Sequence, residues 1–145
     1  MESNRKFTIL LIEDNIADQG LFLRALKDLP FDVKIMSDGV RALEYLHGGP
    51  NSISPPQVGL IVVDLNLPGI DGVEILKELR AENRLNLKTT PVIVLSTSSN
   101  LRDVSNCYQS GANAYITKAS DLNLYLKSVR DSALYWSEIV YQKPL

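Results

Sequence analysis

The chain has 145 residues, of which 45% are hydrophobic and 22% charged, and its formal net charge is −2. This length fits one domain spanning residues 1–145, and the acidic balance argues against nucleic acid as a partner, because phosphate binding requires a concentrated basic surface. One cysteine, a polar start and the absence of any apolar run near the ~20 residues that span a bilayer favour a cytoplasmic protein without a membrane partner.

Five short apolar runs alternate with segments of helical spacing. The predicted strands are Thr8–Ile12, Val33–Met36, Leu60–Asp64, Val92–Ser96 and Ala114–Thr117. The predicted helices are Ala17–Asp28, Gly39–His47, Gly72–Ala81, Leu101–Ser110 and a fifth from about Asp121 to about Val140. Most of the strands are apolar throughout, which is typical of strands covered on both faces. The alternation therefore predicts an α/β fold with a parallel sheet, helices on both faces and right-handed crossovers.

Local signals support several of these boundaries. Asn15 is a suitable N-cap for the first helix, and Asp18 lies in its first turn, where a negative charge is favourable. Gly111 follows the fourth helix and suits a left-handed stop. The segment Gly48–Gln57 contains prolines and glycines that are typical of a loop, which we interpret as a spacer before the third strand.

Polar residues follow or end four of the five predicted strands. Glu13 and Asp14 follow the first strand, Asp64 ends the third, Ser96 ends the fourth and Lys118 follows the fifth. The carboxyl ends of parallel strands lie along one edge of a sheet, where ligands bind at the point at which strand order reverses. If the first and third strands are neighbours, the three carboxylates converge there.

Three adjacent carboxylates repel one another unless a cation compensates them. Oxygen ligands without imidazole or thiolate favour Mg²⁺, with Mn²⁺ also possible. Lys118 offers a further positive charge and Ser96 a hydroxyl donor, and such a set suits phosphoryl transfer onto a carboxylate. Asp64 is the best acceptor because it ends the central strand. The alternative is that Asp14, Asn15 and Asp64 only cap helices and turns.

Four stretches containing these residues resemble the receiver domains of two-component response regulators: IED at 12–14, DLNLPGIDG at 64–72, PVIVLSTSS at 91–99 and GANAYITK at 111–118. The resemblance implies a flavodoxin-like, doubly wound (βα)5 fold with a five-stranded sheet of order 2-1-3-4-5. It implies that Asp64 is the phosphoacceptor and, with Asp14, a direct metal ligand. Glu13 would act on the metal largely through water, and Asn66 would supply a backbone carbonyl.

The same resemblance implies the switching residues. Ser96 would be the switch hydroxyl, Lys118 the phosphate-sensing lysine and Tyr115 the aromatic side chain whose rotamer reports phosphorylation. The family usually has proline after the lysine, often with a cis bond, whereas Ala119 stands here. A cis bond before a non-proline residue costs roughly 2.5–4 kcal/mol. The sequence therefore leaves the conformation of this loop open.

Finer features resemble the small regulators partnered with bacterial phytochrome kinases. They are the stretch EDNIADQGLFLRALKD at 13–28, the proline-containing loop, NCYQSGANAYITK at 106–118 and the pair Tyr135-Trp136. This resemblance implies that the phosphoryl donor is a phosphohistidine on a light-sensing sensor histidine kinase.

The fifth predicted helix indicates an assembly surface. One apolar stripe consists of Leu122, Leu126, Val129, Ala133, Trp136 and Val140, and a second flank of Tyr125, Tyr135 and Ile139. A helix of this length would extend beyond the sheet, so we expect a homodimer through the helix 4–strand 5–helix 5 surface. The alternative is that Trp136 packs back on its own domain.

Three functions remain open on the sequence. The first is a phosphoacceptor signalling protein rather than an enzyme. The second is a Mg²⁺-dependent phosphohydrolase with Asp64 as nucleophile, although such enzymes usually have a second acid where this chain has Asn66. The third is a pseudo-receiver, a binding module that never takes phosphate; the complete set of Glu13, Asp14, Asp64, Ser96 and Lys118 disfavours it.

Overall fold

The structure, a computed structural model, describes residues 6–48, 57–82 and 85–139. In these residues the strands are β1 (Phe7–Ile12), β2 (Phe31–Met36), β3 (Leu60–Asp64), β4 (Val92–Ser96) and β5 (Ala114–Thr117). The main helices are α1 (Ile16–Ala25), α2 (Gly39–His47), α3 (Gly72–Arg80), α4 (Leu101–Gln109) and α5 (Leu122–Leu134). A one-turn helix, Leu85–Lys88, precedes β4, and a π-helical segment, Tyr135–Ile139, continues α5.

The five strands form one parallel sheet of order β2-β1-β3-β4-β5, so the predicted fold class is confirmed. Consecutive residues of a strand point to opposite faces, and the sheet separates two apolar clusters accordingly. Leu10 and Ile12 face the cluster under α2, α3 and α4, while Ile9 and Leu11 face the cluster under α1 and α5. Helices on both faces bury the central strands completely, which explains their unbroken apolar sequence.

The main helices begin at the carboxyl edge of the sheet, because each follows the end of a strand. In the described residues, each starts with a side chain that accepts a hydrogen bond from a backbone N–H of the first turn; these caps are Asn15, Asp38, Asp71, Asn100 and Asp121. The predicted cap of α1 is therefore confirmed. Helix N-termini carry partial positive charge, which favours anionic ligands at this edge.

Several predicted boundaries differ from the observed ones. Helix α1 ends at Ala25 rather than Asp28, because the chain turns there and Asp28 adopts a left-handed conformation with φ of 68°. Strand β2 begins two residues earlier than predicted. The predicted left-handed stop at Gly111 is confirmed, with φ of 111°. Most of the predicted loop, residues 49–56, lies outside the described residues.

The apolar stripe predicted for the last helix is wrong in part. Leu122 is 43% exposed, whereas Tyr125 is only 5% exposed and joins the core with Val129 and Ala133. The helix packs against α1 with a face that combines Tyr125, from the predicted second flank, with Leu126, Val129 and Ala133 of the predicted stripe. The sequence presents two apolar flanks and does not indicate which residues of each are buried. Trp136 packs against the same cluster, as in the alternative considered above. Residue 140 of the predicted stripe lies outside the described residues. Among the helices that the structure describes, we find no candidate for a membrane span.

Candidate functional site

Three carboxylates meet at the carboxyl edge of the sheet. Strands β1 and β3 are paired neighbours, so the residues that follow β1 lie beside the end of β3. One carboxylate oxygen from each of Glu13, Asp14 and Asp64 lies within 4.8 Å of the other two. Glu13 and Asp64 are buried, and Asp14 is exposed. The predicted convergence of these three residues is therefore confirmed.

The ammonium group of Lys118 reaches into this cluster from the end of β5. Its Nζ atom donates to Glu13 Oε1 at 2.8 Å, Asp18 Oδ2 at 3.0 Å and Asp64 Oδ2 at 3.1 Å. Its backbone N–H donates to the carbonyl of Ser96 at 2.6 Å, which prolongs the pairing of β5 with β4. The described residues contain no cis peptide bond, so the Lys118–Ala119 bond is trans. The lysine thus reaches the acids with a trans bond to Ala119.

Burial and charge act in opposite directions on the site. Burial alone would lower the pKa of Lys118, but hydrogen bonds to Glu13 and Asp18 and the charge of Asp64 outweigh it and raise that pKa above its ordinary value. Burial raises the pKa of Glu13 to about 7; the neighbouring Asp64 adds to this rise and Lys118 opposes it. The site therefore stabilises the charged form of Lys118 and destabilises the ionised form of Glu13.

The backbone around Asp64 is fixed by close packing. Its Oδ1 atom accepts a hydrogen bond from the N–H of Asn66 at 3.0 Å, while Oδ2 faces Lys118. Gly72 N–H donates to the Leu65 carbonyl at 3.1 Å. A Cβ atom on Gly72 would lie 2.8 Å from the Asp64 carbonyl oxygen, so a side chain there would displace the strand end. The role of the Asn66 carbonyl as a metal ligand stays a prediction.

Sequence reasoning missed two residues in the first turn of α1. Asp18, interpreted above only as a favourable helix-start charge, contacts Lys118. Gln19 Nε2 donates to the carbonyl of Glu13 at 2.6 Å and ties the helix to the acidic loop. The available signal was an acid one turn into a helix that begins beside the strand-end carboxylates. Its lysine partner, 100 residues away, could not be read from spacing.

Ser96 and Tyr115 are connected through Ser98. Ser96 is fully buried, and its Oγ atom accepts a hydrogen bond from Ser98 N–H at 3.1 Å. The Ser98 carbonyl accepts from the Tyr115 hydroxyl at 2.7 Å, and the Ser98 hydroxyl donates to Asp103 Oδ2 at 2.6 Å. The Tyr115 N–H donates to the Tyr108 hydroxyl at 3.1 Å. One loop residue thus contacts both predicted switch side chains and helix α4.

The donor set fits a hard divalent cation. The converging ligands are carboxylate oxygens, which Mg²⁺ and Mn²⁺ prefer. Lys118 supplies one positive charge against the carboxylates of Glu13, Asp14, Asp18 and Asp64, so negative charge remains in excess for a metal to compensate.

Comparisons with known proteins agree with this geometry. Residues 9–130 match the response regulator receiver domain family. The chain is 38% identical over 141 residues to response regulator Rcp1 of Synechocystis sp., covering 96% of this chain and 95% of that protein. The phosphorylated cyanobacterial phytochrome response regulator RcpA superposes with a TM-score of 0.85 at 35% identity (97% of this chain, 100% of that one), and the Mn²⁺-bound form of Rcp1 with 0.84 at 36% (95% and 99%). The chain therefore belongs to the response regulator receiver domain family and is related to its phytochrome response regulators.

Proposed function

We propose that residues 1–145 form a single-domain response regulator that accepts a phosphoryl group on Asp64 from a sensor histidine kinase. One observation carries this proposal. The Asp64 carboxylate lies at the end of the central strand, between the Asn66 N–H and the Lys118 ammonium, with Glu13 and Asp14 beside it. This arrangement supplies an oxygen nucleophile, a place for a divalent cation and a positive charge at one point.

In the proposed reaction an oxygen of Asp64 attacks the phosphorus of a phosphohistidine. The phosphorus–nitrogen bond breaks, its electron pair stays on the imidazole nitrogen, and an acyl phosphate forms. A cation held by Glu13, Asp14, Asp64 and the Asn66 carbonyl would supply compensation of the phosphoryl charge when bound. Lys118 and Ser96 contact the phosphoryl oxygens from the side of β5 and β4.

The proposed signal passes through the loop after β4. A phosphoryl group adds negative charge and acceptor oxygens, which attract the Ser96 hydroxyl and Lys118. When Ser96 moves, its Oγ atom loses the hydrogen bond from the Ser98 N–H. The carbonyl of the same Ser98 accepts the hydrogen bond from the Tyr115 hydroxyl. A shift at Ser96 is thus transmitted to Tyr115 and to the α4–β5–α5 surface.

The similarity to RcpA, a phytochrome response regulator, supports a phytochrome kinase as the phosphoryl donor. We further propose a homodimer through the α4–β5–α5 surface, because Tyr108 of α4 is exposed, as are Tyr135 and Ile139 in the segment that continues α5. Sedimentation at micromolar protein, with and without a phosphoryl mimic, tests the dimer. A monomer in both states would contradict it.

Incubation with acetyl phosphate and Mg²⁺, followed by intact-mass analysis, tests the phosphoacceptor role. We expect one labile phosphoryl group on the wild type and none on Asp64→Asn or in EDTA. Asp71→Asn is the matched control, because it changes a carboxyl on the same loop while an asparagine still caps α3, and it should be phosphorylated normally.

Other outcomes of this experiment would favour the alternative functions. Turnover of many equivalents of a phosphate ester would favour the phosphohydrolase. No adduct and no affinity for Mg²⁺ would favour the pseudo-receiver.

A further inference from the structure

Asp18 is a partner of Lys118 that the proposed reaction does not use. The ammonium group has three N–H donors, and each has an acceptor: Glu13 Oε1, Asp18 Oδ2 and Asp64 Oδ2. A phosphoryl oxygen on Asp64 would be a further acceptor. Because the Asp64 carboxylate becomes part of the acyl phosphate, the phosphoryl oxygens would share Lys118 with the two carboxylates that remain, those of Glu13 and Asp18.

The three carboxylates differ in how well water could replace the lysine. The Glu13 side chain is 3% exposed and that of Asp64 11%, whereas that of Asp18 is 33% exposed. A buried carboxylate that loses its donor pays a large desolvation penalty, and a more exposed one is hydrated instead. Of the two carboxylates that remain when Asp64 is phosphorylated, Asp18 is consequently the one that Lys118 can leave at the lower cost.

The position of Asp18 is set by the start of α1 rather than by the lysine. Its backbone N–H donates to the Asn15 side chain at 3.0 Å, and the neighbouring Gln19 is bonded to the Glu13 carbonyl. The first turn of the helix is thus fixed to the acidic loop. Asp18 therefore contacts Lys118 from the first turn of α1 and is not one of the three clustered carboxylates, Glu13, Asp14 and Asp64.

We propose that Asp18 is a positioning residue that holds Lys118 in a resting position and competes with phosphoryl oxygens for its ammonium group. The proposal rests on the proposed function of Asp64. It implies that the lysine engages a phosphoryl group more readily once Asp18 is removed. It also implies that Asp18 acts only through Lys118.

The contact itself is tested without any phosphoryl group. In Asp18→Asn and Asp18→Ala, we expect the Lys118 ammonium protons, followed by NMR, to exchange with water faster than in the wild type. Asp121→Asn removes an exposed carboxylate at the same sheet edge and keeps the cap of α5, so exchange should not change there. Equal exchange in the wild type and in both Asp18 variants would overturn the proposal.

The competition is tested with beryllium trifluoride, which binds carboxylates as a mimic of a phosphoryl group, titrated in the presence of Mg²⁺. Asp18→Asn should bind it about twofold to fivefold more tightly than the wild type, the size expected for a partly exposed ion pair. Asp121→Asn should match the wild type. In a Lys118→Met background, Asp18→Asn should have no effect.

An equal gain in affinity in the Lys118→Met background, or in Asp121→Asn, would show a general charge effect and overturn the positioning role. A wild type that binds no beryllium trifluoride would instead refute the proposed function. If Lys118 exchange still responded to Asp18 in that case, Asp18 would be a purely structural partner of the lysine, and the competition would be refuted as well.

Discussion

Two partly buried cations lie at opposite edges of the sheet and are held in different ways. At the carboxyl edge, Lys118 contacts carboxylates whose charge a metal or a phosphoryl group would alter. At the amino edge, Arg80 ends α3 and contacts neutral oxygens. Its Nε, Nη1 and Nη2 atoms donate at 2.8–3.0 Å to the carbonyls of Gly111, Lys88 and Thr90 and to the side-chain oxygen of Asn113.

The difference follows from the two side chains and their partners. The planar guanidinium of Arg80 matches several fixed acceptors at once, and it ties the end of α3 to the segments that precede β4 and β5. Burial lowers the pKa of Arg80, whereas the acids around Lys118 raise the pKa of that lysine. The acceptors of Arg80 are neutral and do not titrate, so neither a metal nor a phosphoryl group would alter their charge. The carboxyl edge holds the ammonium group through partners whose charge balance is adjustable.

The largest expected effect is at the amino edge. Arg80→Met removes hydrogen bonds to four acceptors, and we expect the free energy of unfolding to fall by about 3 kcal/mol. Urea denaturation measures this loss, and Mg²⁺ should not reduce it. Arg102→Met, at an exposed position of α4, is the control and should change stability by less than about 0.5 kcal/mol. A loss of that small size in Arg80→Met would remove the contrast between the two edges.

At the carboxyl edge, Lys118→Met leaves carboxylates facing one another, and we expect the free energy of unfolding to fall by about 2 kcal/mol without Mg²⁺. Because the folded pKa of Lys118 is raised, its stabilising contribution is complete below its ordinary pKa and declines only as the pH rises through the folded value. The deficit should therefore persist at pH 8, and saturating Mg²⁺ should reduce it. Lys127→Met, which breaks an exposed pair with Asp131, should cost less than about 0.5 kcal/mol. If Mg²⁺ did not reduce the loss of stability in Lys118→Met, the charge balance at the carboxyl edge would not be adjustable.

The smallest expected effect concerns the backbone under the acceptor. Gly72→Ala places a methyl group against the Asp64 carbonyl, and we expect a loss of about 1.5 kcal/mol from overpacking. Thermal unfolding measures it. Gly20→Ala is the control, because this position in α1 has open space and should gain about 0.5 kcal/mol of helix stability. If Gly72→Ala behaved like Gly20→Ala, the Asp64 backbone would be less rigid than its packing indicates.

The fold and the centre of the site were predictable because they depend on patterns within short segments. Unbroken apolar runs identified the covered strands, and strand-end polarity identified Glu13, Asp14 and Asp64. The pairing of β1 with β3 was the one assumption needed, and the structure confirms it. The contacts of Arg80 were out of reach because most of its acceptors are backbone carbonyls, which leave no mark on the sequence.

Two other features needed the tertiary structure. The contact between Asp18 and Lys118 joins the first turn of α1 to the end of β5, and no local pattern relates the two residues. The core face of α5 includes Tyr125 instead of Leu122, because packing against α1 selects between two apolar flanks that the sequence presents equally well.

An acyl phosphate on Asp64 would alter the charge next to Lys118. Borohydride detects this acyl phosphate directly. Borohydride reduces an acyl phosphate of aspartate to homoserine, which peptide mass spectrometry locates in the chain. After treatment with acetyl phosphate and Mg²⁺, we expect homoserine at position 64 and at no other carboxylate, and none in EDTA. Homoserine at a different position, or at none, would contradict Asp64 as the phosphoacceptor.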